Sequence, residues 1–432
     1  MDQLHKQIAS TDSPVLSPEA WPFSLKWLPE GTHLVGGNVR DALLGRHADY
    51  LDLDFVLASN VIGVAQAIAK QYQAGFVVLD AERQIARVVF DGATADFALQ
   101  VGDTLEDDLR RRDFTVNAIA YNPFTEQLFD PVQGYADLQR HCIRMIAPEN
   151  LEEDPLRLLR AYRQAAQLSF ALDPATQAVI RQLGDRLQGI AAERVQSELS
   201  YLLSTAAGTP FLHKAWQDGL LTYWLPHATA SGLERVNRID EAATILSERF
   251  ADFGPLLSEW VRDQHKTSGS IRSWLKVAKL ACLVAYEVDV AEAELWRLKY
   301  SRNEVQAVLT VIQAMSGLTS EPATLSLRDQ YYLFRSVGAV FPAVVLAAVS
   351  SGTAIDALTP LMQRFLCPQD PVAHPKPMVT GRDLMAALQM RSGPQVGQLL
   401  EAIQLAHAEG QIHTEDEAIA YARSLYISGD MS

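Results

Sequence analysis

The sequence predicts an α+β protein, a mixed strand-and-helix head followed by an all-helical remainder, on three observations. Short apolar runs with period-two alternation recur between residues 33 and 99, separated by helical segments. From residue 151 onward the apolar residues recur at three-to-four spacing instead. The 432 residues are 48% hydrophobic and 21% charged, an ordinary globular composition with length for about two to four domains.

Taken in order, residues 1–25 are polar or marked by proline and read as an N-terminal extension. HLVGG, from His33, reads as a short strand ending in a Gly-Gly turn, NVRDALLG as a helix, and YLDLDFVLA as an alternating strand. VIGVAQAIAKQYQAG is an amphipathic helix, followed by strands at 76–79, 85–90 and 93–99. Phe129-Asp130-Pro131 with Gly134 marks a turn-rich segment that closes a head spanning 26–147. Beyond it, EEDPLRLLRAYRQAAQL, DPATQAVIRQLGDRLQG and ERVQSELSYLLS predict helices, with Pro155 and Pro174 just inside their starts, where no N–H is needed. A helical neck is assigned to 148–215 and a helical body to 216–366. CPQDPVAHPKP (367–377) carries four prolines and reads as a linker; with the helical tail after it, the segment runs 367–432.

Charge and cysteine usage exclude several classes. With 52 acidic and 37 basic residues the formal charge is −15, which disfavours nucleic-acid binding over the whole surface and leaves room for a local basic patch. Cys142, Cys282 and Cys367 lie far apart without a CxxC pair, so neither a zinc cluster nor a disulfide framework is supported, and a reduced, cytoplasmic setting is expected. MDQLHKQIASTDSPVL lacks a secretory pattern. The best apolar run, 340–349, is too short to cross a bilayer and reads as a buried helix or strand, so no membrane partner is expected.

Three blocks carry candidate chemistry. In the strand DLDF, Asp52 and Asp54 point to one face and Leu53 and Phe55 to the other. Alone, such a pair only flanks a surface strand. Here the Gly36-Gly37 turn, small enough for main-chain N–H groups to approach a phosphate, stands shortly before it with Arg40 and Asp41, and a divalent cation would compensate the two carboxylates. Mg²⁺ suits that set because it takes oxygen ligands from one or two carboxylates plus substrate phosphates. Asp96, ending an apolar strand, is either structural or a third carboxylate that polarises an attacking hydroxyl. In the second block, Arg110-Arg111-Arg112-Asp113 with Asn117, the arginines offer donors to triphosphate oxygens while Asp113 and Asn117 fix sugar-side geometry. In the third, Glu153-Asp154-Pro155-Leu156-Arg157, Asp154 reads either as an N-cap before an N1 proline or, with Arg157 at i,i+3 and Arg160 beyond, as a reader of base edges. Cytosine and adenine both present an amino donor beside a ring-nitrogen acceptor, which a carboxylate and a guanidinium meet together. Uracil and guanine reverse both positions, which is costly in a dry pocket.

The segments LVGGNVRDALLG (34–45), DLDF (52–55), RRDFTVNAIAYNP (111–123), DPVQGYADL (130–138), EDPLRLLRAYR (153–163) and IAAERVQSEL (190–199) resemble, in order, the motifs of class II tRNA nucleotidyltransferases and bacterial poly(A) polymerases. The tail VTGRDLMAALQMRSGPQVGQLLEAI (379–403) also resembles this group's C-terminal segment, and the region between matches mainly in helical character. The resemblance implies a polymerase-beta-like nucleotidyltransferase head before helical neck, body and tail domains. It implies template-independent nucleotide transfer to the 3′ end of tRNA with Mg²⁺ as cofactor. Asp52 and Asp54 correspond to the metal-binding pair, Arg111, Arg112, Asp113 and Asn117 to the ribose and triphosphate motif, and Asp154 and Arg157 to the protein template for the incoming base. Arg160 corresponds to its phosphate-proximal companion, with Glu153 beside it and Glu193 and Arg194 in a supporting neck motif. Asn38 departs from the usual small residue after Gly-Gly.

Members of this group add CC, the terminal A, all of CCA, or a poly(A) tail. Those that add the terminal A usually carry a longer polar, Arg-rich flexible loop between the strand bearing Asp96 and the Arg111-Arg112-Asp113 block. Here ADFALQVGDTLEDDLRRRD crosses that interval directly, with 101–104 as its obvious turn. The expectation is therefore a CTP-using enzyme that stops at CC, with a separate A-adding enzyme completing the end. A complete CCA-adding enzyme using both CTP and ATP is the alternative, ahead of a poly(A) polymerase or a noncatalytic RNA-binding protein.

Overall fold

The computed structural model describes residues 13–46, 50–258, 273–318 and 322–428. The chain divides into two compact units, one reaching Ile190 and including Pro210–Leu220, the other comprising Ala191–Thr209 and the residues from Leu221. In the first, strands β1 (His33–Val35), β2 (Leu51–Leu57), β3 (Gly75–Asp80), β4 (Ile85–Phe90), β5 (Ala93–Leu99), β6 (Ala120–Asn122) and β7 (Gln127–Phe129) form one sheet in the order β3-β4-β5-β2-β1-β6-β7. Within this sheet only β2 and β5 pair in parallel. Helices α1 (Gly37–Leu43), α2 (Val61–Tyr72), α3 (Leu105–Arg110) and α4 (Gly134–Gln139) complete the head. The α2 face Val61, Ala65, Ile68 and Ala69 is buried, as its three-to-four spacing requires.

Leu53, Phe55 and Leu57 face the core, and so does Phe97 of β5. The sequence places residues up to 25 in a polar extension, and the structure corrects this: Trp21 and Phe23 are buried against Phe55 at ring-centroid distances of 5.1 and 5.8 Å. Burying such rings contributes about 2–3 kcal/mol each, which outweighs the local polarity. The turn-rich stretch also holds more order than its sequence indicates. Asn122 accepts N–H groups from Phe124 and Thr125 at 2.9 and 3.1 Å to turn the β6–β7 hairpin. Asp130 accepts those of Gly134 and Tyr135 to start α4, and at Gly134 a Cβ would lie 2.1 Å from the Thr115 carbonyl oxygen, so only glycine fits.

Helices α5 (Pro148–Glu153), α6 (Leu156–Leu168) and α7 (Pro174–Leu183) follow, and the predicted all-helical character fails at one point. A strand β8 (Cys142–Ile143) pairs in parallel with β9 (Ala171–Leu172). Pro174 stands at N1 behind an Asp173 cap, as expected, but α6 begins only after Pro155. Proline denies the residue before it helical backbone, so Asp154 is extended at φ −132°, ψ 92° and ends α5, while its Oδ1 accepts the Leu156 N–H at the start of α6.

In the second unit α8 (Ala192–Ser204) opens a helical array, and α9 (Thr209–Gln217) starts at its edge before passing into the first unit. Further helices run from α10 (Ala230–Arg249) through α11 (Phe253–Ser258), α12 (Trp274–Ala281), α13 (Val288–Arg297) and α14 (Arg302–Leu318) to α15 (Leu327–Val337), α16 (Phe341–Ser350) and α17 (Ile355–Leu366). The predicted apolar run is α16, almost wholly buried. The continuous stretch Leu327–Ser350 has the length and apolarity of a membrane span, but 61% of its apolar window is buried in the protein, as in a core helix. Helices α18 (Gly381–Leu388), α19 (Pro394–Ala408) and α20 (Glu415–Ser428) close a small core of their own around Leu384, Leu399 and Ile403. The proline-rich stretch before them is not an open linker. Asp370 accepts the N–H groups of Val372 and Ala373 and pairs with Arg364 at 2.9 Å, folding the segment back on α17.

Candidate active site

Sheet register assembles the carboxylates. The parallel β2–β5 pairing sets Asp54 opposite Asp96 and Asp52 opposite Thr94, and the antiparallel β4–β5 pairing sets Arg87 opposite Asp96. Registered neighbours share a face, so Arg87, Asp96 and Asp54 form a row across three strands. Arg87 grips Asp96 bidentately, Nε to Oδ1 at 2.6 Å and Nη2 to Oδ2 at 2.7 Å. The Thr94 hydroxyl donates to Asp52, and Asn38 Nδ2 donates to Asp54 Oδ2 at 3.3 Å. Burial pushes the Asp54 carboxyl up to about 7, with Asp52 and Asp96 adding repulsion against the opposing charges of Arg112 and Arg87.

That repulsion is an observation a cation would answer. Among the described residues no group of three or more His, Cys, Asp and Glu could hold a metal. The donor set is thus two carboxylates, which fits a hard divalent ion that draws its remaining ligands from phosphates and water. A stability test follows. Asp54 loses its proton near 3.8 when exposed and near 7 in the fold, so the metal-free protein is stabilised below pH 3.8 and loses that contribution as pH rises through 7. Thermal unfolding is expected to show a wild-type Tm that falls over this window relative to Asp54→Asn, with the fall reduced by a divalent cation. Superimposable pH profiles for the two proteins would contradict it.

The Gly-Gly turn joins these carboxylates to an arginine-lined cavity. Gly36 has φ +80°, a left-handed conformation that favours glycine, and a Cβ there would lie 3.5 Å from Arg112 Nη1 and 3.6 Å from Asp54 Oδ2. The cavity, about 530 Å³, begins at Gly37 and is lined by Arg40, Arg111, Arg112, Arg157, Arg160 and Arg163, with Asp113 the acid among its lining residues. A chain of formal charge −15 therefore concentrates positive charge where polyanionic phosphates would be held.

Hydrogen bonds fix this lining. Arg40 is buried, pairs with Asp41 at 2.9 Å and donates to Asn117 Oδ1 at 2.7 Å. Asn117 Nδ2 donates to Asp113 and to Gln164, both at 2.9 Å, so Asn117 commits both amide hydrogens inside the protein and orients Asp113. Asp113 also accepts from Arg160 Nη1 at 3.5 Å. Asn150 of α5 donates to the main-chain carbonyls of Arg110 and Arg112. Arg157 Nη1 donates to the carbonyls of Arg111 at 3.0 Å and Asn150 at 2.8 Å, so the main chain, not a helical ion pair, orients this guanidinium. Asp154 Oδ1 accepts from the Leu156 N–H at 3.3 Å. Glu153 is 3.9 Å from Arg157 and 62% exposed, a screened contact.

The first unit holds every candidate in the head and in the α5–α6 segment, and its cavity gathers Arg40, Arg111, Arg112, Asp113, Asn117, Arg157 and Arg160, whereas Asp154 is not among the lining residues. Glu193 and Arg194 stand exposed in the first turn of α8, in the second unit, so this grouping does not include them. Arg110 turns to Glu106 and is not among the cavity's lining residues. Reading the sequence missed Arg163, Gln164 and Gln167, although with Arg157 and Arg160 they form a three-to-four stripe on α6. Arg87, Thr94 and Asn150 had no local signal, because register and tertiary packing bring them in.

Three family profiles cover the chain: "Poly A polymerase head domain" over residues 32–100 and 94–144, "Probable RNA and SrmB-binding site of polymerase A" over 169–231, and "tRNA nucleotidyltransferase domain 2" over 270–422. A CC-adding tRNA nucleotidyltransferase of Synechocystis is 47% identical over 94% of this chain and 96% of its own. An A-adding tRNA nucleotidyltransferase of Deinococcus radiodurans is 33% identical over 91% and 95%. Among solved structures, a Thermotoga maritima CCA-adding enzyme complexed with tRNA_CCA superimposes at a TM-score of 0.70 and 19% identity, covering 98% of both chains, which establishes the shared fold. With sheet, carboxylate pair and arginine cavity in one unit and a relative 47% identical across nearly its whole length, the chain belongs to the tRNA nucleotidyltransferase family of enzymes.

Proposed function

We propose that this enzyme transfers CMP from CTP to the 3′ end of tRNA, twice and without a template, and stops at CC. Each transfer joins the terminal hydroxyl to the α-phosphorus and releases pyrophosphate. Asp52 and Asp54 would hold Mg²⁺, which would supply activation of that hydroxyl and neutralise phosphate charge. Asp96, gripped by Arg87, completes the carboxylate row beside them. Gly36, Gly37, Arg40, Arg111, Arg112 and Arg160 face the triphosphate, Asp113 and Asn117 set the sugar side, and Asp154 and Arg157 read the base edge. Asp41, Glu153, Glu193 and Arg194 support them. The limits at 147, 215 and 366, the cytoplasmic setting and a separate A-adding enzyme belong to the same reading.

One observation carries the choice of product. Between β5 and Arg111 the chain makes one turn and one six-residue helix, α3, started by a Thr104–Asp107 capping box. Within this described interval there is no extended basic loop with which to re-aim the template for A. The relative at 47% identity, named as CC-adding, supports this reading, whereas the A-adding relative is 33% identical. Incubating the pure protein with tRNA ending at the discriminator base and each nucleoside triphosphate separately tests it. Product ends are expected to show two cytidines with CTP and no extension with ATP, UTP or GTP, and adenylate addition to that substrate would contradict it.

A further inference from the structure

Helix α3 contains a carboxylate that the proposed machinery does not use. Asp108 is 1% exposed, and its two oxygens serve three groups. Oδ1 accepts the Val101 N–H at 3.1 Å and faces Arg111, with Nη2 at 3.3 Å and Nε at 3.4 Å. Oδ2 faces Arg112, with Nη2 at 3.0 Å and Nε at 3.3 Å. One buried group thus ties the start of the 101–110 stretch to two arginines of the cavity.

The tie rests on a rigid base. Leu109, the next residue, is fully buried in a cluster with Val35, Val56, Ala118 and Ala120, which seats α3 against the head. The turn before the helix is closed as well. Gly102 has φ +88°, and a Cβ on it would lie 2.5 Å from the Asp107 Cβ, while Thr104 and Asp107 exchange the two capping-box hydrogen bonds. The short stretch is therefore a strap fixed at both ends. Its only buried carboxylate points at Arg111 and Arg112.

We propose that Asp108 is a positioning residue for nucleotide binding. By holding Arg111 and Arg112 from a helix seated in the head, it keeps both guanidiniums at the cavity wall, aimed at the triphosphate. This deepens the proposed function and rests on its assignment of Arg111 and Arg112 to the triphosphate. Two arginines released from a buried charged partner would lose the orientation that serves CTP, and each hydrogen bond to a charged group is worth about ten- to a hundredfold in an equilibrium.

Asp108→Asn keeps the shape and removes the charge, and Leu109→Ala loosens the same helix without touching the carboxylate. Steady-state kinetics with CTP and ATP on tRNA substrates, beside thermal unfolding, separate positioning from stability. For Asp108→Asn, KM for CTP is expected to rise about tenfold with a smaller change in kcat. Leu109→Ala, compared at a temperature where both variants are equally folded, is expected to leave KM for CTP within about twofold of wild type. A second arm measures coupling: on an Arg112→Ala background Asp108→Asn should cost less than it does alone. Equal changes in CTP KM in the two single variants, or a CTP KM within about twofold of wild type in Asp108→Asn, would overturn the proposal. Wild-type extension of CC-ended tRNA with ATP would instead refute the CC-adding reading while leaving the CTP KM result standing, so the two failures are distinguishable.

Discussion

Asp52→Asn and Asp54→Asn are each expected to lower nucleotide transfer by more than about a thousandfold while leaving tRNA affinity within about twofold. Both side chains stand on one face of β2 and their contacts, to Thr94 and Asn38, are polar, so the amide replaces the carboxylate without loss of volume. Removing a charge there also relieves the burial cost and the repulsion that raise Asp54, so neither variant should be less stable than wild type in the absence of a divalent cation. Single-turnover transfer and tRNA binding by filter retention check both halves. Near-normal turnover at saturating Mg²⁺ would contradict the assignment, and a matching loss of tRNA binding would show that the pair acts in RNA recognition.

Asp154→Ala is expected to lower CTP efficiency about a hundredfold and to erode discrimination against UTP by a comparable factor, because the base amino group loses its acceptor while uracil no longer meets an opposing carboxylate. The structure sharpens this test. Asp154 Oδ1 meets the start of α6 through one long contact, the Leu156 N–H at 3.3 Å, so its loss is expected to bring only a small fall in Tm. Arg157→Ala should behave differently, since its Nη1 also holds the carbonyls of Arg111 and Asn150, and its loss should lower Tm as well as CTP use. Kinetic efficiencies for CTP and UTP beside thermal unfolding decide the matter. A lower Tm with unchanged discrimination in Asp154→Ala would mark a structural residue.

What the sequence discloses follows the range of the forces involved. Alternation in β2 and three-to-four spacing in α2 and α6 are local, so the strands, the helices and the shared face of Asp52 and Asp54 are legible without coordinates. Trp21 and Phe23 are set in a polar, proline-marked stretch, and only the distant Phe55 and Phe97 reveal what they pack against. The one-residue delay of α6 was also open to reading, because the restriction proline places on Asp154 is local. The Arg87–Asp96 pairing was not. Nine residues separate the partners, and it takes the β4–β5 register to set them opposite each other. Asp108 shows the same limit: the i,i+3 and i,i+4 spacings to Arg111 and Arg112 permit the contact, but burial and the Val101 N–H are what single it out.

The central claim, that the enzyme stops at CC, meets its most direct test on tRNA that already ends in CC. The substrate is incubated with excess ATP at an enzyme concentration that completes CC addition to the shorter tRNA within the same time, and the 3′ ends are sequenced. The account predicts ends that remain CC throughout, whereas efficient conversion to CCA would contradict it.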